Sequence, residues 1–233
     1  MLKLRYQEHQ INVANLYLQR KRVARMSNLA PSLVNITYRS ETGYQRVENF
    51  IKAIYHRCYA AEIMVNYPAL MSVCNADGEI LAAVGFRCAD QNSLFLEQYT
   101  QEPIEKKLHC SRGGIVEIGN LASAGKGASI FLFAALAAYL DDHGVRYAAI
   151  TGTDFLHRYF KRIGLNPYKM CDASMTAVED DGQNWGTYYA TRPRVLIGSI
   201  GNGVKRLQAM LGAKYESYET APDPQFAYLE AVQ

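Results

Sequence analysis

The sequence lacks any apolar run long enough to cross a bilayer. Its most hydrophobic stretch, Ile130 to Leu140, is 11 residues, about half of the roughly 20 a membrane helix needs. The opening MLKLRYQEHQ has no apolar core of the secretory type. Cysteine is sparse: Cys58, Cys74, Cys88, Cys110 and Cys171 are odd in number and form no CxxC or metal-ligand spacing. That usage points to reducing, cytoplasmic surroundings and to no structural metal. A dominant charge is missing too. With 25 Lys and Arg against 22 Asp and Glu, the net +3 is too small to demand a nucleic-acid partner. No GxSxG, HExxH, Walker loop or GxGxxG occurs, so hydrolase and dehydrogenase readings find no support.

What is present is enough apolar residue for one substantial core. Of 233 residues 49% are hydrophobic, with 17 Tyr and 8 Phe. That excludes disorder for most of the chain and fits one domain better than two. The charge is unevenly placed. Residues 1–26 hold Lys3, Arg5, Arg20, Lys21, Arg22 and Arg25 against Glu8; residues 214–233 hold Lys214 against Glu216, Glu219, Asp223 and Glu230. The composition divides the chain into a basic N-terminal extension packing on the domain (1–45), a domain (46–213) and an acidic surface tail (214–233).

Periodicity places the elements. Val47, Phe50, Ile54, Cys58 and Ala61 predict an amphipathic helix over 46–64, ended by Tyr67-Pro68. The runs 69–74 and 80–86 flank Asn75-Ala-Asp77-Gly78, a hairpin signal. A third strand is expected over 94–99, then a short helix from Pro103 and a strand over 114–121. Ala124-Gly-Lys-Gly127 leads into a helix over 128–142 that is apolar nearly all round and closed by Gly144. A strand over 145–151, a helix over 154–163 stopped by Gly164 and a strand over 165–172 follow. Glu179-Asp-Asp-Gly182 is a polar break, 185–199 is mixed, and 204–211 is a short helix. A helix between strands 114–121 and 145–151 forces a parallel pair. The fold class is α/β, an α+β mixed sheet flanked by helices.

Two features suggest chemistry. A strand entering a glycine loop and then a helix gathers unpaired N–H groups and a helix dipole, an arrangement that binds phosphate; here the loop is Gly125-Lys126-Gly127-Ala128. Glycine loops also serve simply as turns. The strand before it carries Glu117, Gly119 and Asn120, and a glycine inside a strand marks a bulge or a ligand's approach. A carboxylate half-buried beside a crevice has its pKa raised by desolvation and suits a general base. The competing reading pairs Glu117 with Arg87 or Arg112. Arg87 and Glu97-Gln98-Tyr99 are further polar groups among apolar strand residues, and convergent polar groups with apolar walls make a cleft. Asp154 reads as a helix cap, His157 as a surface residue, and Tyr188 and Tyr189 near Trp185 as core or pocket lining.

The blocks LFLEQY (94–99), PIEKKL (103–108), IVEIGNLAS (115–123), TGTDFLHRYFKRIGL (151–165) and WGTYYATRPRVLIG (185–198), with the apolar helix between them, resemble the bacterial thermostable hemolysin family. Through it the chain is similar to acyl-homoserine-lactone synthases and, more distantly, to Gcn5-related N-acetyltransferases. The resemblance implies that strand 115–121 splays from its neighbour 145–151 and that the gap takes the pantetheine arm of an acyl thioester. Gly119, Leu121 and Ala122 would then pair with the arm, and Gly125, Lys126, Gly127 and Ala128 would hold phosphate. Glu117, Glu97 and Asn120 are the candidate catalytic residues; Arg87, Tyr99, Thr151 and Trp185 are the candidate substrate pocket. Arg87 in GFR matches the synthases' strand arginine. The sequence departs elsewhere: Asn120 stands where the synthases carry arginine, Ala122 where the acetyltransferases carry Arg or Gln, and Phe160 where they carry tyrosine. The synthases' acidic pair has no counterpart around 60–75, which speaks against adenosylmethionine as acceptor.

The function expected is an N-acyltransferase moving an acyl group from acyl-carrier protein or acyl-CoA, a co-substrate and not a tightly bound cofactor, to a small-molecule amine. The basic N-terminus suits an acidic carrier protein. A cytolytic, membrane-active protein, as the family name suggests, and a non-catalytic acyl-thioester sensor are the alternatives. Phe131, Phe133, Leu136 and Trp185 are candidates to close the end of an acyl cleft.

Overall fold

Lys3 and Arg5 alternate with buried Leu4, Tyr6 and Glu8, so the N-terminal charges are the outward members of a strand. The computed structural model describes residues 1–90, 93–100, 102–178 and 184–218. β1 (Leu2–Glu8) turns through His9 and Gln10, both at positive φ, into antiparallel β2 (Ile11–Leu18), the geometry of a tight hairpin. The short α1 (Arg20–Val23) and β3 (Pro31–Tyr38) follow. Residues 1–45 therefore supply three strands to the sheet. The composition shift at residue 45 is not a break in the fold, and the expected extension packed on the domain is corrected to an integral part of it.

α2 (Tyr44–Tyr59) ends earlier than its periodicity predicts. Ala60 takes a left-handed φ of 51°, and the turn after Asn184 caps the helix, with the Thr187 N–H donating to the Tyr59 carbonyl at 2.8 Å. β4 (Ala69–Asn75) and β5 (Ile80–Cys88) form the expected hairpin. Residues Phe95–Tyr99, expected as a strand, form a 3-10 turn, followed by α3 (Ile104–Leu108). The reason is local. The Glu97 carboxylate accepts the Leu94 N–H at 2.8 Å, and Glu117 accepts those of Phe95 and Leu96 at 3.2 and 2.8 Å, so side chains take the donors a ladder would use.

Next come β6 (Ile115–Ser123), α4 (Ser129–Asp142), β7 (Tyr147–Gly152) and α5 (Asp154–Ile163). They are followed by β8 (Tyr168–Asp172), β9 (Arg194–Ser199), α6 (Ile200–Leu211) and β10 (Lys214–Ser217). The expected tail thus begins with a sheet strand; the break 179–182 and residues 219–233 lie outside the described residues. All ten strands form one sheet, in the order β10-β2-β1-β3-β4-β5-β6-β7-β9-β8. β1–β3 and β6–β7 are its parallel pairs. One face carries α4 and α6. α4 is apolar all round because it is wedged between sheet residues such as Met71, Val84 and Val116 and the helix residues Leu207, Leu211 and Phe160. The opposite face carries α2, with Ile51 and Tyr55 over Leu70, Ala83 and Ala122. No helix among the described residues is long and apolar enough to cross a membrane.

Candidate active site

The parallel ladder between β6 and β7 stops short. Ile115 to Ile118 pair with Tyr147 to Ile150; beyond them β7 pairs only with β9, through Thr151 and Gly152, and β6 only with β5. The β7-facing edge of Gly119 to Ser123 is therefore without a strand partner among the described residues, and such an edge accepts an extended, amide-bearing ligand. A bulge sits at the parting. Gly85 faces Gly119 and Ala83 faces Ala122, so Val84 alone opposes two residues, and Asn120 adopts φ 51°. The extra residue shifts the alternation: Gly119 and Asn120 both line the α2 side, Leu121 joins Ile118 on the α4 side, and Ala122 returns to the α2 core.

A cavity opens on each side of this parting. On the α4 side a cavity of about 410 Å³ is lined by Ile118, Leu121, Phe133, Leu136, Ile150 and Phe160. It runs to the partly exposed segment Gly164–Tyr168 and the start of α6 at Ser199, Asn202 and Gly203. Of the expected cleft-closing residues Phe133 and Leu136 line it; Phe131 is buried elsewhere in the core, and Trp185 belongs to the other side.

On the α2 side a smaller cavity of about 80 Å³ is walled by Tyr55, Tyr67, Phe95, Tyr99, Trp185, Tyr188 and Tyr189. Arg87, Gly119, Asn120 and Thr151 complete it with Met64 and Asn66. The structure thus brings together Arg87, Tyr99, Thr151, Trp185, Gly119 and Asn120 of the residues marked from sequence. Trp185 packs at tilted and edge-on angles against Phe95, Tyr188 and Tyr189 with ring centroids 5.6–5.9 Å apart, and the Tyr99 and Tyr189 hydroxyls are 2.6 Å apart. Tyr188 donates to the Thr151 carbonyl at 3.2 Å.

Tyr67 was missed in the sequence, although a signal exists in the two glycines that oppose each other beneath its ring. A Cβ on Gly85 would lie 2.5 Å from Tyr67 Cγ, and one on Gly119 would collide with its hydroxyl. The hydroxyl therefore sits directly over the bulge. Burial first, then Glu117, hold Tyr67 well above the ordinary tyrosine range, so it stays a neutral hydrogen-bond donor.

The two candidate carboxylates are placed otherwise than expected. Glu117 is 1% exposed and lines neither cavity. Its Oε2 is 3.3 Å from Arg87 Nε, and both oxygens accept the Phe95 and Leu96 N–H groups. The pairing left open between Arg87 and Arg112 falls to Arg87. Burial raises the Glu117 pKa against the pull of Arg87 and these donors. Glu97 is held by Arg112, with Nη1 to Oε1 at 2.8 Å and Nη2 to Oε2 at 3.1 Å, and also accepts the Ile104 N–H. Burial works to raise its pKa, but Arg112 and the backbone donors outweigh it and hold the carboxyl below the usual range. Two other expectations are corrected. The cap of α5 is Thr153, whose hydroxyl accepts the Leu156 N–H at 3.2 Å, while Asp154 pairs with Arg194 at 2.7 Å. His157 is buried, its Nδ1 3.3 Å from Arg194 Nη1.

Past the open edge, Gly125, Lys126 and Gly127 all have positive φ (92°, 54° and 78°) before Ala128 turns helical. The change of hand from Gly127 to Ala128 (φ −58°) turns successive N–H groups toward one concavity, the geometry of an anion nest. Among the described residues no acceptor takes the N–H groups of Lys126, Gly127 and Ser129. The N-terminal segment braces this loop: Ser27 Oγ donates to the Lys126 carbonyl at 2.7 Å, and a Cβ on Gly127 would lie 2.5 Å from the Met26 carbonyl.

A mixed sheet with helices on both faces, a bulged central strand parted from its parallel neighbour and an anion nest at the next helix define a Gcn5-related N-acetyltransferase-like fold. Solved structures share it at low identity. A CoA-dependent acyl-homoserine lactone synthase, BjaI, with SAM and isopentyl-CoA, is 10% identical over 76% of this chain and 87% of its own, with a TM-score of 0.53. TofI in a ternary complex with an inhibitor and MTA is 14% identical over 75% and 96%, with a TM-score of 0.53. FeeM, an N-acyl amino acid synthase from uncultured soil microbes, is 12% identical over 74% and 95%, with a TM-score of 0.52. Residues 37–204 match the model of the thermostable hemolysin family, and the chain belongs to that family. No curated protein sequence matches it.

Proposed function

We propose that this chain is an N-acyltransferase that moves an acyl group from a CoA or acyl-carrier-protein thioester to an amine. The observation that carries this reading is the parting of β6 and β7 after Ile118 and Ile150, with the apolar cavity and the aromatic pocket on its two sides and the 125–128 loop just past the far end of the unpaired edge. The pantetheine amides pair with the open edge at Gly119–Leu121, and the N–H groups of the 125–128 loop receive phosphate. The acyl chain enters the apolar cavity, while the amine approaches from the Arg87 side.

In the reaction the amine nitrogen attacks the thioester carbonyl, the C–N bond forms and the C–S bond breaks. The proton lost by nitrogen ends on the departing thiol. The neutral Tyr67 hydroxyl and the main-chain N–H groups of the bulge are donors for the developing oxyanion, each such aimed donor being worth about 3–4 kcal/mol. Holding both reactants at the parting supplies much of the remainder. Glu117 acts on this step as a positioning residue, through Arg87 and the 95–99 turn, because its oxygens are enclosed.

The test is incubation of purified protein with acyl-CoA and acyl-carrier-protein thioesters of several chain lengths and a panel of amines, following free thiol and the amide mass. Dye-loaded vesicles and erythrocytes receive the same protein. Amide formation dependent on both substrates supports the reading; lysis with no amide product from any pair overturns it in favour of a membrane-active protein. Tight thioester binding with no turnover favours a sensor.

A further inference from the structure

Arg87 is the one charged side chain, among the described residues, that lines the aromatic pocket. Of its five N–H donors, one is spent in a hydrogen bond, from Nη2 to the Asn66 carbonyl at 2.5 Å. Nε faces Glu117 without hydrogen-bond alignment, and no acceptor among the described residues takes the Nη1 donors. Tyr67 lies under the guanidinium, 4.6 Å from Cζ to the ring centroid, which fixes its plane and already fills that aromatic face with a cation.

Resting on the acyltransferase reading, we propose that the acceptor is an amine that itself carries a carboxylate, an α-amino acid being the simplest member, with the carboxylate docked on Arg87. The charge pattern selects for it. A dicationic or sulfonium acceptor meets a guanidinium and no exposed carboxylate. A carboxylate meets unspent donors in a half-buried, aromatic-walled site, where a charge-assisted bidentate contact is stronger than in open water. Geometry places the amine correctly as well, since Arg87 and Gly119 line one small cavity and a group held by the first presents its nitrogen at the parting above the second. The Arg87–Glu117 pair keeps this corner near neutral, which suits an acceptor that carries both charges.

Two measurements test this and separate it from the reading beneath it. The first is calorimetric binding of N-dodecanoyl-L-alanine and of its carboxamide to the whole chain, which requires no turnover. The acid should bind about tenfold to hundredfold more tightly, and Arg87→Gln should reduce that ratio at least tenfold, with Arg87→Lys between the two. Equal binding of acid and amide by the wild-type protein, or a ratio unchanged in both variants, overturns the proposal. The second is thiol release from dodecanoyl-CoA with L-alanine, L-alaninamide and ethylamine. A preference for alanine in kcat/KM supports it, and equal rates with all three overturn it. Absence of thiol release with every amine counts against the acyltransferase, while the binding ratio still decides the role of Arg87.

Discussion

Arg87 on β5 stands directly opposite Glu117 on β6 in the antiparallel register, with 3.3 Å between Nε and Oε2. The same carboxylate holds the Phe95 and Leu96 N–H groups, so one buried group fixes both a pocket cation and a pocket wall. Glu117→Gln puts an amide donor against those donors and leaves Arg87 without its counter-ion. A loss of about 1–3 kcal/mol in urea denaturation is expected, less than for a fully buried pair because Arg87 is partly exposed. Turnover should fall by about tenfold or more while its pH profile keeps the wild-type shape, as befits a positioning residue. Loss of the acid limb in the variant would instead make Glu117 the base.

The carboxylates of Glu97 and Glu117 tie down the same segment with opposite dependence on pH. Folding lowers the Glu97 pKa, so its contribution is present above the unfolded carboxylate value, about 4.3, and is lost as pH falls through the folded value. Folding raises that of Glu117; its contribution is complete below about 4.3 and declines as pH climbs through the folded value. Denaturation of wild type, Glu97→Gln and Glu117→Gln across the acid range should show the first difference widening with pH and the second narrowing. Slopes of the same sign for both would contradict these placements.

Much of this site was legible in the chain because its main-chain features are written locally. The glycine loop, the apolar α4 and the irregular Gly119-Asn120 pair mark a bulged strand running into a turn and a helix before any contact is known, while the parting of β6 from β7 is what the family resemblance adds. The Leu94–Tyr99 turn was not legible, since what removes it from the sheet is Glu117, more than twenty residues later. Nor were the strands of the first 45 residues, where basic charge is what stands out until the alternation of Lys3 and Arg5 with Leu4, Tyr6 and Glu8 is counted. Tyr67 was hidden because its role depends on two glycines that meet only across a ladder.

Gly127 tests the anion nest. Its φ of 78° and the Met26 carbonyl, 2.5 Å from a would-be Cβ, leave no room for a side chain. Gly127→Ala should cost about 1–3 kcal/mol in stability and raise the KM for acyl-CoA by about tenfold. Lys126→Gly relieves a left-handed lysine (φ 54°) and preserves the nest, so its KM change should be the smaller. A larger effect at Lys126 would assign the binding to its charge and not to the main chain.

Gly198 and Gly203 line the apolar cavity and have neither a positive φ nor a close neighbour that demands glycine: a Cβ on Gly198 meets nothing within 4 Å, and one on Gly203 only Leu165 at 3.8 Å. Gly203 lies inside α6, where glycine costs about 1 kcal/mol relative to alanine. Open space at the cavity's outer end is what both positions provide. Gly203→Leu should therefore lower the ratio of kcat/KM for dodecanoyl over hexanoyl thioesters by tenfold or more. A constant ratio would mean that the chain takes another route.

The basic residues beside the loop bear on which thioester is used. Lys21, Arg22 and Arg25 are exposed in the segment that leads into Met26 and Ser27, the two residues that brace Gly127 and Lys126. A carrier protein delivering its arm to the nest would lay its surface against this segment, and carrier surfaces of acidic character fit it by charge. Replacing all three with Glu should raise the KM for carrier-bound substrate by about tenfold, less at high salt, and leave the KM for acyl-CoA within about twofold. An equal rise for both would place these cations on the phosphates of CoA itself. If neither constant moves, the basic face takes no part in donor binding.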